Sequence, residues 1–192
     1  KPLHLGHIRN NLLGWRVSEI ILNSGKEVKK VKLINDRGIH ICKSMLAWMK
    51  WGEGSSPEST NLKGDKFVGE YYVLFDKKNK EQIAELVANG MDNDEAAKKT
   101  DLLNEAKDLL IRWENEDSEV RELWSRMNNW VYDGFDITYD RMGIDFHKVY
   151  HESETYLLGK KLVNDGLKNG VLFKKDDGSV WCNLTDEGLD EK

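Results

Sequence analysis

Apolar residues near the start of the chain recur at helical spacing: Ile8, Leu12, Leu13, Val17, Ile20 and Ile21 mark one helix that stops at Asn23-Ser24-Gly25. A glycine there suits the left-handed turn that ends many helices. Val31 and Leu33 then alternate with lysines and lead into Ile34-Asn35-Asp36-Arg37-Gly38, the pattern of a short strand entering a turn. Ile39, Cys42, Met45, Leu46 and Met49 trace a second amphipathic helix. Helix, strand, turn, helix is the rhythm of an α/β unit with a parallel sheet.

The rhythm changes after residue 51. Glycines, serines and Pro57 between positions 52 and 64 predict a linker or surface loop. From 65 to 143 only helical periodicity appears, carried by Phe67, Tyr71, Leu74 and Phe75 and later by Val120, Leu123, Trp124, Met127, Val131, Phe135 and Met142, with Gly90-Met91-Asp92-Asn93 as an internal turn. Beyond it the sequence predicts a strand over 146–150 and a helix over about 154–169. The runs 171–175 and 180–184 flank Asp176-Asp177-Gly178-Ser179 as a β-hairpin. The expected division is therefore 1–51 as the first part of an α/β domain, 52–143 as a helical insertion, and 144–192 as the continuation of the α/β region.

Composition narrows the function classes. Seven tryptophans, six tyrosines and five phenylalanines, in a chain of 192 residues, exclude disorder throughout, because large rings offset the entropy of ordering. A net charge of −5 argues against a surface that tracks phosphates. Lys26, Lys29, Lys30 and Lys32 are the densest basic cluster and read as solvated lysines around a strand. Cys42 and Cys182 stand far apart without a CxxC neighbour, so neither a zinc site nor a disulfide framework is indicated. No signal peptide and no long apolar run is found, which points to a cytoplasmic protein without a membrane partner. The chain opens on lysine rather than methionine, and 186–192 stop without a clear terminal element; both ends suggest a cut from a longer protein.

The chemistry concentrates at His4-Leu5-Gly6-His7. Two histidines bracketing a glycine at a helix entrance can grip polyphosphate, because helix amides and the positive dipole end already attract anions and imidazoles add directed donors. Gly6 lets a base or ribose approach the backbone without meeting a β-carbon. The same histidines could instead merely cap or pack at the helix start. Elsewhere, His147 and His151 have the spacing of a metal pair but lack the HExxH glutamate, so no metal site is assigned. Trp113, Trp124 and Trp130 read as core or interface residues rather than base-stacking platforms.

Residues 2–14, Pro2-Leu3-His4-Leu5-Gly6-His7-Ile8-Arg9-Asn10-Asn11-Leu12-Leu13-Gly14, resemble the HIGH-type motif of class I aminoacyl-tRNA synthetases, and the Arg9-to-Gly14 continuation is similar to the arginyl family in particular. Asn35-Asp36-Arg37-Gly38 sits where that family has a Gly-Asp-Trp-Gly turn. Thr138-Tyr139-Asp140-Arg141 matches its Thr-Tyr-Asp-Arg segment, and Glu152-Ser153 falls at its Gly-Glu-Ser. Asn35, Arg37 and His151 depart from the family pattern; Asp36 keeps it.

The resemblance implies a partial Rossmann-like catalytic domain of class I synthetase type, with a mainly helical insertion and a small β-hairpin region. It implies a ligase that activates arginine with ATP and Mg2+ to arginyl-adenylate and transfers it to tRNA(Arg). His4 and His7 are then the catalytic residues, stabilising charge as the arginine carboxylate attacks the α-phosphorus, and Leu5, Gly6 and Asn10 complete the ATP contacts. Glu152 is the candidate for the arginine substrate, with helix entry as its other role; Asp36 is a second substrate candidate, with capping of the helix containing Ile39 as its alternative. Tyr139 to Arg141 read as structural, tying the long helix to the nucleotide fold.

Residues 1 to 192 contain no KMSK-like loop, the family's second ATP element, so the isolated segment is expected to fold at least partly and not to catalyse arginylation unaided. Two other readings compete. Another HIGH-bearing nucleotidyl transferase, such as a cysteinyl-type synthetase, is disfavoured because two isolated cysteines do not make its zinc site. A non-catalytic helical interaction module is separable from both by whether ATP perturbs His4 and His7.

Overall fold

The computed structural model describes residues 3–176 and 178–185; Pro2, Asp177 of the hairpin turn and the stretch 186–192 lie outside the described residues. In chain order the elements are α1 (Leu5–Asn23), β1 (Val31–Ile34), α2 (Ile39–Trp51), α3 (Pro57–Thr60), α4 (Gly64–Ala88) and α5 (Asn93–Lys99). They continue with α6 (Asp101–Glu114), α7 (Ser118–Met142), β2 (Lys148–His151), α8 (Glu152–Lys168), β3 (Leu172–Lys174) and β4 (Val180–Cys182). Two compact units result: one takes the chain up to residue 31 and 36–148, the other 32–35 and the chain from 149 onward.

Local chemistry sets the helix boundaries of the first unit. Thr100 caps α6 by accepting from the Leu103 amide at 3.2 Å, and Asp117 caps α7 by accepting from Glu119 and Val120, both at 3.1 Å. Gly143, at φ 64°, closes α7 in the left-handed conformation that glycine adopts without a Cβ penalty. The expected loop at 52–64 contains the single turn α3, because Ser56 and Ser59 form a reciprocal capping box with Pro57 at the first helical position.

The core of this unit lies among α2, α4, α6 and α7. Met45, Leu46 and Cys42 of α2 are buried, with Phe67, Val68 and Phe75 of α4, Leu109 and Trp113 of α6, and Val120, Met127 and Val131 of α7. Phe67 stands edge-on to Trp130 with ring centres 5.4 Å apart, and Trp113 to Trp124 at 5.2 Å, so the helices interlock through aromatic contacts. At the start of α4 two backbones nearly touch. A Cβ on Gly64 would overlap the carbonyl of Trp130, and one on Gly134 would strike Asp65. The Lys63 ammonium secures the same joint, 3.1 and 3.2 Å from the two Asp65 carboxylate oxygens and 2.5 Å from the Thr138 hydroxyl.

Helix α1 departs from the expected packing. No residue of α1 is buried, and Leu12, Leu13, Val17, Ile20 and Ile21 of the apolar stripe are exposed. Its half-buried side is Ile8, Asn11, Trp15, Ser18 and Glu19. The stripe therefore points away from the face that meets the rest of its unit. That face is held by polar contacts instead.

In the second unit β1 pairs with β2, and β3 pairs antiparallel with β4 in the register Leu172↔Cys182, Phe173↔Trp181, Lys174↔Val180. The hairpin turn is closed by the Lys175 amide donating to the Ser179 carbonyl at 2.9 Å, with Gly178 at φ 82°. β2 begins two residues after the expected 146, because Phe146 packs its ring 5.2 Å from Tyr139 and His147 pairs with Lys30 in the first unit. α8 begins at Glu152 rather than 154, and its Leu157, Leu158 and Leu162 are exposed.

Overpacking at the α4–α7 joint is expected to cost roughly 1–3 kcal/mol for Gly64→Ala or Gly134→Ala in urea unfolding. Gly14 in α1, where an added Cβ meets nothing within 4 Å, is the control. Gly14→Ala should be neutral or stabilising by up to about 1 kcal/mol through helix propensity. Equal effects at all three positions would contradict the close approach.

Candidate functional site

The start of α1 is built from the two histidines themselves. His4 occupies the N-cap position in extended conformation (φ −110°, ψ 172°), and its Nδ1 accepts from the Gly6 amide at 3.1 Å. His7, at the third helical position, returns the interaction: its Nδ1 accepts from the His4 amide at 3.2 Å. This is a capping box with imidazoles in place of the usual hydroxyl and carboxylate. The two rings lie 3.8 Å apart between centres, tilted by 45°.

Two chemical consequences follow. An imidazole whose Nδ1 accepts carries its proton on Nε2 when neutral, so each ring is set up as an Nε2–H donor. No acidic residue stands in the first turn of α1, so nothing there cancels the positive end of the helix dipole. An anion at such a terminus gains about 0.3–1 kcal/mol from the dipole alone, before directed hydrogen bonds are added. Gly6 has a local reason to lack a side chain: its Cβ would lie 3.0 Å from Cε1 and 3.1 Å from Nδ1 of His4. Leu5 is 85% exposed, and Asn10 is exposed on the following turn.

Asp36 has a different setting. It is buried at 2% exposure, and its carboxylate accepts from the Tyr132 hydroxyl at 2.9 Å. Its carbonyl accepts from Trp124 Nε1 at 2.6 Å and from Asn128 Nδ2 at 3.3 Å. Three side chains of α7 thus hold the 35–38 turn, and Arg37 adds an ion pair to Glu114 of α6. The N-cap of α2 is Gly38 at φ 101°, not Asp36. Glycine suits that position because side chains rarely adopt the angle.

Glu152 lies in the second unit as the first residue of α8, whose N-cap is His151. Placed there, with Glu154 also in the first turn, it complements the helix dipole. His147 is engaged with backbone: its Nδ1 accepts from the Lys30 amide at 3.0 Å and its own amide donates to the Lys30 carbonyl at 2.8 Å. Trp113 is buried in the core, with the Arg121 guanidinium 3.6 Å from its ring centre; Trp124 and Trp130 are half-buried.

Sequence reasoning missed what anchors α1. Asp145 Oδ1 accepts from Trp15 Nε1 at 3.3 Å and from the Lys30 ammonium at 2.5 Å. Lys30 also lies 3.6 Å from Glu19 and 5.3 Å from the Trp15 ring centre. Tyr139, buried on α7, shares a hydrogen bond with Asn11 of α1. The available signal was the spacing of positions 4, 7, 11, 15 and 18, which lie on one helix face.

The imidazole-capped helix start is a feature of a chain whose family the comparisons with known proteins define. The family described as tRNA synthetases class I (R), catalytic domain, matches residues 1–189, and the chain belongs to that family. Over its full 192 residues it is 58% identical to the arginine–tRNA ligase of Bacteroides fragilis (strain YCH46) and 60% identical to that of Amoebophilus asiaticus (strain 5a2), covering 32% of each. The arginine–tRNA ligase of Flavobacterium psychrophilum (strain ATCC 49511 / DSM 21280 / CIP 103535 / JIP02/86) is 57% identical, again with all of this chain and 32% of the relative covered. The chain thus spans about a third of the length of these relatives.

The Asp145–Lys30 pair gives α1 a defined pH window. The hydrogen bond to Lys30, then that from Trp15, holds the Asp145 carboxyl below its ordinary 3.8, while the hydrogen bond to Asp145 raises Lys30 above its ordinary 10.5. Stability from the lowered carboxyl is present above 3.8 and is lost as pH falls through its folded value; stability from the raised ammonium is present below 10.5 and is lost as pH rises through its folded value. The difference in unfolding free energy between wild type and Asp145→Ala should therefore be flat across neutral pH and shrink on acidification. A difference unchanged down to about pH 3 would contradict the ion pair.

Proposed function

We propose that this chain is the nucleotide-holding part of an arginine–tRNA ligase, which activates arginine with ATP to arginyl-adenylate and transfers it to tRNA(Arg). The observation that carries the reading is the reciprocal His4–His7 cap at a helix start with no acidic residue in its first turn. The relatives' name supplies the amino acid, and the match across residues 1–189 supplies the chemistry class.

In this reading ATP lies with its phosphates at the α1 N-terminus. The Nε2–H donors of His4 and His7 stabilise charge that builds up as the arginine carboxylate displaces pyrophosphate from the α-phosphorus. Leu5, Gly6 and Asn10 border the nucleotide. Glu152 offers a carboxylate to the guanidinium of arginine. The burial of Asp36 and its contact with Tyr132 favour a turn-holding role over substrate contact for that residue.

Among the described residues no group of three or more His, Cys, Asp or Glu side chains is gathered to hold a metal ion. In this reading magnesium enters as part of the nucleotide substrate, and no step is assigned to it on this chain. No helix of the described residues is long and apolar enough to cross a membrane. The exposed apolar faces of α1 and α8 are, in this reading, the surfaces on which the remaining two-thirds of the ligase packs.

The test is arginine-dependent ATP–pyrophosphate exchange, with tRNA supplied, by the complete ligase carrying this segment. His4→Ala and His7→Ala should each lower kcat by about 10²–10³-fold, the cost of removing one preorganised transition-state donor. Activity within a few-fold of wild type in both variants would sink the assignment.

A further inference from the structure

We propose that Asp145 and Tyr139 are positioning residues for the reaction, setting the rotation of α1 about its axis and hence where the two imidazoles sit. This rests on the reading that His4 and His7 hold the nucleotide.

The geometry begins with the faces of α1. At about 100° per residue, positions 4, 7, 11, 15 and 18 fall within roughly 80° of arc. The side chains held by the rest of the unit are on the same face as the histidines. Asn11 is bonded to Tyr139, and Trp15 donates to Asp145 at 3.3 Å. Asp145 also grips Lys30 at 2.5 Å, and Lys30 lies 3.6 Å from Glu19, so the loop after α1 and the helix are fastened to one carboxylate. Two hydrogen bonds between Lys30 and His147 lock that loop beside it: the His147 amide donates to the Lys30 carbonyl at 2.8 Å, and the Lys30 amide donates to His147 Nδ1 at 3.0 Å.

Both anchors are themselves fixed. Tyr139 is 8% exposed, with its ring 6.4 Å from that of Phe135 and 5.2 Å from that of Phe146. Asp145 follows the left-handed stop at Gly143 and the buried Ile144, so the end of α7 delivers it to Trp15. Because no residue of α1 is buried, apolar packing within the unit does not set its rotation; these polar links do.

The lever is large enough to matter. A helix with its side chains has a radius of about 5–6 Å, so turning α1 by some 20° moves an imidazole tip by about 2 Å. Misplacing a reacting group by about 1 Å can cost on the order of 10²-fold in rate.

Arginine-dependent ATP–pyrophosphate exchange by the complete ligase tests this with Asp145→Ala, Asp145→Asn and Tyr139→Phe beside the His4→Ala and His7→Ala controls. Asp145→Ala should lower kcat about tenfold or more while KM for arginine stays within about twofold. Asp145→Asn keeps an oxygen acceptor for Trp15 and should recover part of the loss. Tyr139→Phe keeps the ring packing and loses only the hydroxyl, and its kcat should also fall.

If the histidine variants lose activity while Tyr139→Phe and both Asp145 variants keep kcat within about twofold, the positioning role is overturned and the nucleotide reading stands. A uniform loss in kcat and arginine affinity that follows reduced thermal stability, with no recovery in Asp145→Asn, also overturns it. If the histidine variants are fully active, the nucleotide reading falls and takes this inference with it. Should Asp145→Ala fail to fold, the kcat and KM of Tyr139→Phe and Asp145→Asn decide the matter by the same criteria.

Discussion

The close passage of α4 against α7 at Gly64 and Gly134 is the constraint on which the first unit depends. Two helix backbones meet there with no room for a β-carbon on either glycine, and Lys63 bridges Asp65 to Thr138 across the joint. With α7 fixed in this way, one of its turns after another is used to hold something else. Trp124, Asn128 and Tyr132 hold the Asp36 turn, and Tyr139 reaches Asn11 of α1. Asp145, just past the end of α7, takes Trp15 and Lys30. The long helix of the insertion is thus a ruler along which the α/β connections are set.

This arrangement explains how a helix with no buried residue can present a defined site. Hydrophobic burial stabilises a helix without fixing its rotation to better than a broad apolar stripe, whereas a hydrogen bond constrains distance and direction together. The polar face of α1 carries the histidines and the anchors. Its apolar face, Leu12, Leu13, Val17, Ile20 and Ile21, is left for other packing. In a chain that spans 32% of its relatives' length, that division of labour suits a helix lodged between the insertion and the rest of a catalytic domain.

Much of the fold was legible because it is written at short range. The 3.6-residue period located the insertion helices, and Asp176 to Ser179 located the hairpin turn. The His4–Gly6–His7 cap spans four residues, so its logic is present in the sequence itself. What was missed is long-range. Asp145 meets Trp15 across 130 positions, and Asp36 meets Tyr132 across 96; a lone carboxylate offers no periodicity that would announce either partner. The sequence offers Asp36 as a substrate candidate or as the cap of the helix containing Ile39; the cap position belongs to Gly38 at positive φ, and the Asp36 carboxylate is turned to α7. The inward face of α1 is hard to read from the pattern because a stripe of leucines and isoleucines dominates it. The half-buried face is instead Ile8, Asn11, Trp15, Ser18 and Glu19, only one of them an aliphatic residue.

The central claim is that the reciprocal imidazole cap of α1 receives the triphosphate of ATP. Its most direct test is a structure of the complete ligase bound to a non-hydrolysable ATP analogue. Phosphate oxygens at about 2.7–3.2 Å from imidazole nitrogens of both His4 and His7 are the predicted result. A well-ordered triphosphate bound elsewhere, with the two rings still turned to each other and making no contact with it, would contradict the account.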